Sequence, residues 1–405
     1  MLSVHQAQTQ ILERTRPLDV EHLTLSQAGG RVLAQDVVAP ISLPGWDNSA
    51  MDGYAVSTAA VPTVGTVLKV SAHIAAGDGE ERELELGTAA RIFTGALVPS
   101  GADAIVLQED TVRAGDRVTI QEVPQRGQHI RRAGEDIEEG QTVLVAGRLL
   151  SAGDLSCLAS LGVTELPVYR RPIVHLMTSG SELLRPGQGR PKRGQVIDGN
   201  TTALAHLVNA LGFEAKVLPV IRDDAAATHG AVAAALSADV LITTGGVSVG
   251  AHDHVRGAIQ AACGDGFGFW KVAVKPGKPL VFGQAERCTV FGLPGNPVSA
   301  LVTFELFVRP ALLRLAGHER CRRRLEVAEL VSPVGAGGRR EEYLRARCWS
   351  EDGRLYVDTN RIQSSGALSS IAGADALAIV RPGHTARAAG EQIEIIRWDS
   401  SGLGA

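Results

Sequence analysis

No stretch of the chain approaches the roughly 20 consecutive apolar residues that a membrane-spanning helix requires. The opening MLSVHQAQTQILERTRPLDV lacks an apolar core and a small-residue cleavage site, so it reads as a helix stopped near Pro17 rather than a secretory signal. These absences predict a protein of the cytoplasm with no membrane role. Aromatics are scarce at 4%, which argues against an aromatic-rich sandwich or binding module. Neither sign of charge is in excess: 40 Lys and Arg face 44 Asp and Glu, interspersed, so no field gathers nucleic acid across the whole surface. The five cysteines are scattered, odd in number and form no CxxC, which excludes a disulfide framework and a structural zinc site and fits a reducing compartment. HExxH, the phosphate-loop lysine motif and a GxGxxG after a strand are missing too, so P-loop and dinucleotide readings lose ground. His252 and His254, flanking Asp253, read as surface residues.

What is present is a Val, Ala, Leu and Gly-rich chain, 44% apolar over 405 residues, long enough for two to four domains of α/β type. Val4 to Arg14 carries apolar residues at helical spacing. From the turn-rich PISLPGWDNSAMDGYAV to about residue 140 the text is short β-like runs cut by Gly and Pro, a β-rich lobe over residues 45–140. Residues 141–170 turn helical between Ser151 and Leu161 and are expected to pack with residues 1–44, helix on helix, as one discontinuous domain. From Pro172 strand-like and helix-like segments alternate, predicting βαβ units and a mostly parallel sheet covered on both faces, a three-layer α/β domain over residues 171–318. It closes on PVSALVTFELFVRPALLRLAG, a long apolar helix expected to bend or break near Pro310. Five β-like runs over residues 323–398 predict a small C-terminal barrel or sandwich.

The chemistry concentrates in loops. ADVLITTGGVSVGAHDH joins a strand, a turn with Gly245, Gly246, Ser248 and Gly250, and a helix: glycines let the backbone approach a ligand, and free N–H groups at a helix start suit an anion. Asp253, in the first helical turn, is either a carboxylate settled by the helix dipole or a ligand for a hard cation such as Mg²⁺. Glu182 in HLMTSGSELLRPG and Asp223 in VIRDDAA end neighbouring strands; the first is a solvated side chain or a ligand, the second an N-cap or a ligand. Lys275 and Lys278 bracket a Pro-Gly turn, suited to a small oxyanion unless it is a plain solvated turn. GLPGNPVSA adds a second rigid turn, shaped by Pro294 and Pro297. In the β-rich lobe, Trp46, Met51 and Tyr54 are expected to pack, and NSAMDGYA is an ordered functional loop or a simple turn.

Taken together, LPGWDNSAMDGYAV, RIFTGALVPSGADAIVLQED, GQHIRRAGEDI, TTGGVSVGAHD, WKVAVKPGKP and GLPGNPVSA resemble the MoeA family of molybdopterin molybdenumtransferases, in the family's order and over nearly the whole chain. The resemblance implies a four-domain homodimer whose central domain is similar to the MogA adenylyltransferase fold, with a C-terminal β-barrel. It implies that molybdate and adenylylated molybdopterin yield molybdenum cofactor and AMP, with Mg²⁺ required. The pterin dithiolate would supply sulfur to the metal, so no protein cysteine is needed.

Matched residue by residue, the resemblance places Asp52, Thr94 and Asp136 in an active site that this lobe completes in the partner subunit. It places Glu182, Asp223, Ser248 and Asp253 around nucleotide and Mg²⁺, the last with Glu182 as metal ligand. Gly245, Gly246, Gly250, Pro294 and Pro297 shape the pterin-binding loops, and Lys275, Lys278, Arg345 and Ser365 receive molybdate. The chain departs from the family in reading TSGSEL, with Ser181 where a carboxylate is usual, and VIDGNTT, without the usual Thr-Asn-Arg. Two other readings stand beside this one, an adenylyltransferase acting on molybdopterin and a non-catalytic dimeric scaffold. A MogA-type adenylyltransferase and molybdoenzyme chaperones are the further partners implied.

Overall fold

The computed structural model describes residues 1–247, 254–360 and 362–398. Ser248, Gly250 and Asp253 therefore lie outside the described residues. Two compact units divide the chain, Met1–Glu21 with Tyr169–Ala405, and His22–Val168. No described helix is long and apolar enough to cross a membrane.

The first helix, α1 (Val4–Arg14), starts on a capping box: the Ser3 hydroxyl accepts from the Gln6 N–H at 3.1 Å while the Gln6 side chain accepts from the Ser3 N–H at 2.9 Å. It buries Val4, Ala7 and Ile11 in the core of its own unit. The helix near residue 155 belongs to the other unit, and α1 to this one. The reason lies in the long apolar helix, which is interrupted as expected: Pro297–Thr303 and Arg309–Leu315 are α-helical, and Phe304–Val308 between them winds as a π turn. Pro310 has no N–H to offer the Leu306 carbonyl one turn back. The Gln8 side chain of α1 donates to that carbonyl at 2.9 Å, so the orphaned acceptor and the apolar stripe dock α1 here.

In the second unit a curled mixed sheet has β1 (Gly53–Val56), β2 (Val67–Ile74), β3 (Thr88–Ile92), β4 (Ala104–Leu107), β5 (Thr111–Ala114) and β6 (Arg117–Ile120) in the order β4-β1-β3-β2-β6-β5. Only β2 and β3 run parallel. Its neighbour is a smaller core of Leu33, Val37, Leu144, Leu158 and Val168. There α2 (Ala152–Ser160) begins on a second capping box, Ser151 with Asp154, and the strand Thr142–Leu144 pairs antiparallel with Val37–Val38. Residues 22–44 and 141–168 thus come together within this unit.

In the first unit β7 (Ile173–Thr178), α3 (Asn200–Ala210), β8 (Glu214–Val217), α4 (Ala225–Ala235), β9 (Val240–Thr244), α5 (His254–Cys263), β10 (Phe267–Trp270), β11 (Val281–Ala285) and β12 (Cys288–Leu293) follow one another, as the alternation predicts. The sheet order is β8-β7-β9-β12-β11-β10; the first four strands are parallel and the last two antiparallel. Every residue of β9 and β12 is buried, as strands covered on both faces require. Leu204 and Val208 of α3 fill one core with α6 (Pro297–Thr303) and α7 (Arg309–Leu315), whereas Val232 and Ile259 of α4 and α5 fill another. The chain then builds a closed five-stranded barrel from β13 (Glu326–Leu330), β14 (Glu341–Glu351), β15 (Arg354–Thr359), β16 (Ala376–Val380) and β17 (Gln392–Arg397). It closes because the eleven-residue β14 pairs with β15 along one stretch and β16 along another.

Candidate active site

From β7 the chain moves outward to β8, then crosses back to β9 on the other side of β7. In an open α/β sheet such a reversal leaves a crevice at the carboxyl ends of the two inner strands. Two glycine-bearing loops leave it, after Thr178 and after Thr244. They touch: Gly245 sits at φ 86°, and a Cβ there would stand 2.9 Å from the Ser179 carbonyl oxygen, so only glycine fits. The loop is further held by the Gly245 N–H on the Leu293 carbonyl at 3.2 Å and the Arg256 N–H on the Gly246 carbonyl at 3.2 Å.

Glu182 is exposed and its carboxylate curls back over Gly180. Asp223, on the next loop, accepts from the Ser181 N–H at 2.9 Å, and its own N–H donates to the Ser181 hydroxyl at 3.2 Å. Capping of α4 falls to Asp224, which accepts from the Ala227 N–H at 2.7 Å, so Asp223 is spared that duty. Ser181 thereby latches two strand-end loops together without adding charge.

The PGNP turn connects the sheet to the barrel. Asn200, first residue of α3, donates to the Gly295 carbonyl at 2.8 Å and to the Thr244 hydroxyl at 3.0 Å, while the Thr244 hydroxyl reaches the Pro294 carbonyl at 3.4 Å. Pro297 opens α6, where its missing N–H costs nothing. Asn296 donates to the Ser365 hydroxyl at 3.1 Å, and the Val298 N–H to the Ser365 carbonyl at 3.3 Å. Asn200 and Asn296 were not singled out by sequence reasoning; an asparagine at each helix start was the available signal.

Lys275 and Lys278 are both exposed on a turn whose Gly277 presses against α6. The short strand Val274–Lys275 pairs parallel with the start of β14, which sets Glu342 opposite Lys275 with Nζ and Oε2 2.9 Å apart. Arg345 is 1% exposed, and no carboxylate accepts from it in the described contacts. Its guanidinium donates to the Ser370 hydroxyl and to the carbonyls of Tyr343 and Ser364, and desolvation pushes its pKa down to about 10. It holds the loop that carries Ser365.

In the other unit Asp52 accepts both the N–H and the hydroxyl of Thr94, each at 2.8 Å. Those bonds, the N–H first, and then the charge of Arg91 hold its carboxyl below the usual range. Arg91 lies 4.7 Å from the Phe93 ring centroid and donates to the Gly53 carbonyl at 2.8 Å. Asn48–Ser49, just before Asp52, pairs antiparallel with Ile130–Arg131, which brings the GEDI loop and its exposed Asp136 alongside; Arg132 binds Asp47 there. Trp46 and Met51 are exposed on this edge rather than packed, while Tyr54 is buried. Among the described residues no group of three or more His, Cys, Asp or Glu is gathered to hold a metal ion.

An open α/β sheet with a switch-point crevice, a closed barrel hooked to its rim and a separate mixed-sheet lobe define a multidomain molybdopterin-biosynthesis fold. Two crystal structures of the molybdopterin biosynthesis MoeA protein from Pyrococcus horikoshii share it, at TM-scores of 0.86 and 0.83 and 29% and 27% identity. Each match covers 98% of this chain and 99% or 100% of the other. Family models match in series: the MoeA N-terminal region (domain I and II) over residues 2–162, a probable molybdopterin binding domain over 175–314, and the MoeA C-terminal region (domain IV) over 327–398. A Haemophilus influenzae protein named molybdopterin molybdenumtransferase is 36% identical over 98% of both chains, and molybdopterin molybdenumtransferase 2 of Mycobacterium tuberculosis is 42% identical over 83% of this chain and 86% of its own. The chain belongs to the MoeA family.

Proposed function

We propose that this chain is a molybdopterin molybdenumtransferase, which inserts molybdenum from molybdate into adenylylated molybdopterin and releases AMP. The observation that carries the reading is the linkage at one rim of the sheet. The start of the anion loop at Gly245, the Ser181–Asp223 latch and the PGNP turn meet there, and the turn is tied in turn to Ser365 of the barrel domain. One rim thus joins a backbone cradle for a phosphate to a polar loop beside the buried cation Arg345.

In this reading the cradle, with Ser248, Gly250 and Asp253 continuing it, orients the pyrophosphate, and water attacks phosphorus while AMP leaves. Glu182 and Asp223 offer hard carboxylate oxygens on adjoining loops, a donor type that fits Mg²⁺, and the family resemblance adds Asp253 as a further ligand. Bound there, magnesium would neutralise charge on the pyrophosphate. Lys275 and Lys278 draw in the molybdate dianion, and Arg345 keeps Ser365 in place to meet it. Asp52, Thr94 and Asp136 act in the cleft of a second subunit, so the working form is a cytoplasmic homodimer.

Incubation with adenylylated molybdopterin, molybdate and Mg²⁺ is expected to release AMP in proportion to cofactor formed. Pyrophosphate released from ATP and molybdopterin would instead mark the adenylyltransferase, and silence in both assays the scaffold. Sedimentation showing only monomer while the enzyme turns over would refute the shared site.

A further inference from the structure

We propose that Trp270 is a positioning residue for the anion loop, a part that its place on the edge strand does not by itself suggest. Its indole N–H donates to the Val247 carbonyl at 2.9 Å, on the last described residue before Ser248. Among the described residues the ties of Gly245 and Gly246 run between backbone groups; this one comes from a side chain on β10, three strands from β9 across the sheet. Val247 is buried, so its carbonyl needs a partner, and Trp270 supplies it.

Two cations crowd the same ring. The Arg256 guanidinium carbon lies 4.1 Å from the ring centroid and the Lys271 Nζ 3.8 Å. Each is attracted by the indole π face, and each repels the other. Arg256 belongs to the first turn of α5, the helix the loop feeds. Lys271 takes φ 94°, a strained conformation for a residue with a side chain, and strain of this kind clusters at ligand clamps. The indole thus fixes the start of the loop on one side while holding two positive charges beside it. A loop held at its start by this bond is preorganised for its ligand, so anion binding and the indole–carbonyl bond reinforce each other.

This rests on the reading that the loop takes the adenylylated pterin, and AMP serves as the probe. Trp270→Phe keeps an aromatic face for both cations, a smaller one, and removes the donor. The AMP dissociation constant and the KM for adenylylated molybdopterin should rise about fivefold to tenfold, the effect of one lost buried hydrogen bond, with the KM for molybdate unchanged. In the wild type, one of the four indole ¹⁵N–¹H resonances should shift on AMP saturation, and that resonance should be missing from W270F. Unchanged AMP affinity in folded W270F, or equal rises in both KM values, would overturn the proposal. So would a Trp270 resonance insensitive to AMP, a measurement that needs no folded variant. If AMP binding behaves as expected but the enzyme releases no AMP from its substrate, the positioning role survives and the transferase reading fails.

Discussion

Gly277→Ala is the sharpest perturbation of the lysine turn. Gly277 has φ 110°, and a Cβ there would stand 2.3 Å from the Thr303 Cγ2 and 3.6 Å from the Ser299 carbonyl oxygen. An alanine held at that φ costs about 1–3 kcal/mol, and forcing a methyl into a packed helix face about 1–3 kcal/mol more. The sum, roughly 2–6 kcal/mol, should lower the unfolding midpoint of this unit by about 5–15 °C, read by differential scanning calorimetry. Relief comes through displacement of the turn, so the KM for molybdate should rise severalfold while AMP affinity holds. Thr303→Ser removes the offending methyl and keeps the hydroxyl that donates to the Ser299 carbonyl at 2.7 Å. G277A with T303S should therefore recover about 1–2 kcal/mol against the sum of the single changes, the steric part alone. A G277A protein that melts within a degree of wild type, or strict additivity in the double variant, would refute the reasoning.

Asp52→Asn should cut AMP release at least tenfold with an unchanged circular dichroism spectrum, because the side chain is exposed and its bonds to Thr94 organise a loop rather than a core. As the Asp52 carboxyl sits below the ordinary range near pH 4, the acid limb it gives to the rate profile should fall below that value. Arg345→Met should leave the melting temperature level or raise it, since a buried cation without a carboxylate partner is costly, yet it should raise the KM for molybdate by freeing the Ser365 loop. Asp239 loses by burial but gains more from the paired bonds of Arg170, at 2.7 and 2.8 Å, and from the Ile173 N–H, so its folded pKa is depressed. Its contribution of about 1–3 kcal/mol is complete above the unfolded value near 4 and disappears as pH falls through the folded one. Urea titrations should show D239N less stable than wild type at pH 7 and equal to it near pH 2.

The elements were legible because each obeys its own period. The five runs of the barrel and the strand–helix alternation after Pro172 stand where the sequence places them. What could not be read is which equivalent residue serves which neighbour. Asp223 and Asp224 are alike as text, and only the course of the chain into α4 makes one a cap and the other a partner of Ser181. Lys275 rather than Lys278 meets a carboxylate because of a parallel pairing with a strand 67 residues away. The docking of α1 depended on a carbonyl freed by a proline some 300 residues on, which no local pattern announces.

The length of β14 gives the barrel a second office, that of a gauge. One end of the strand is fixed by closure against β15 and β16, and the other lies beside Val274–Lys275. Sliding it by a single residue would turn Glu342 to the opposite face, so the same pairings that seal the barrel also calibrate where the lysine stands. A substitution deep in the barrel wall, remote from any substrate, can therefore reset the charge at the rim.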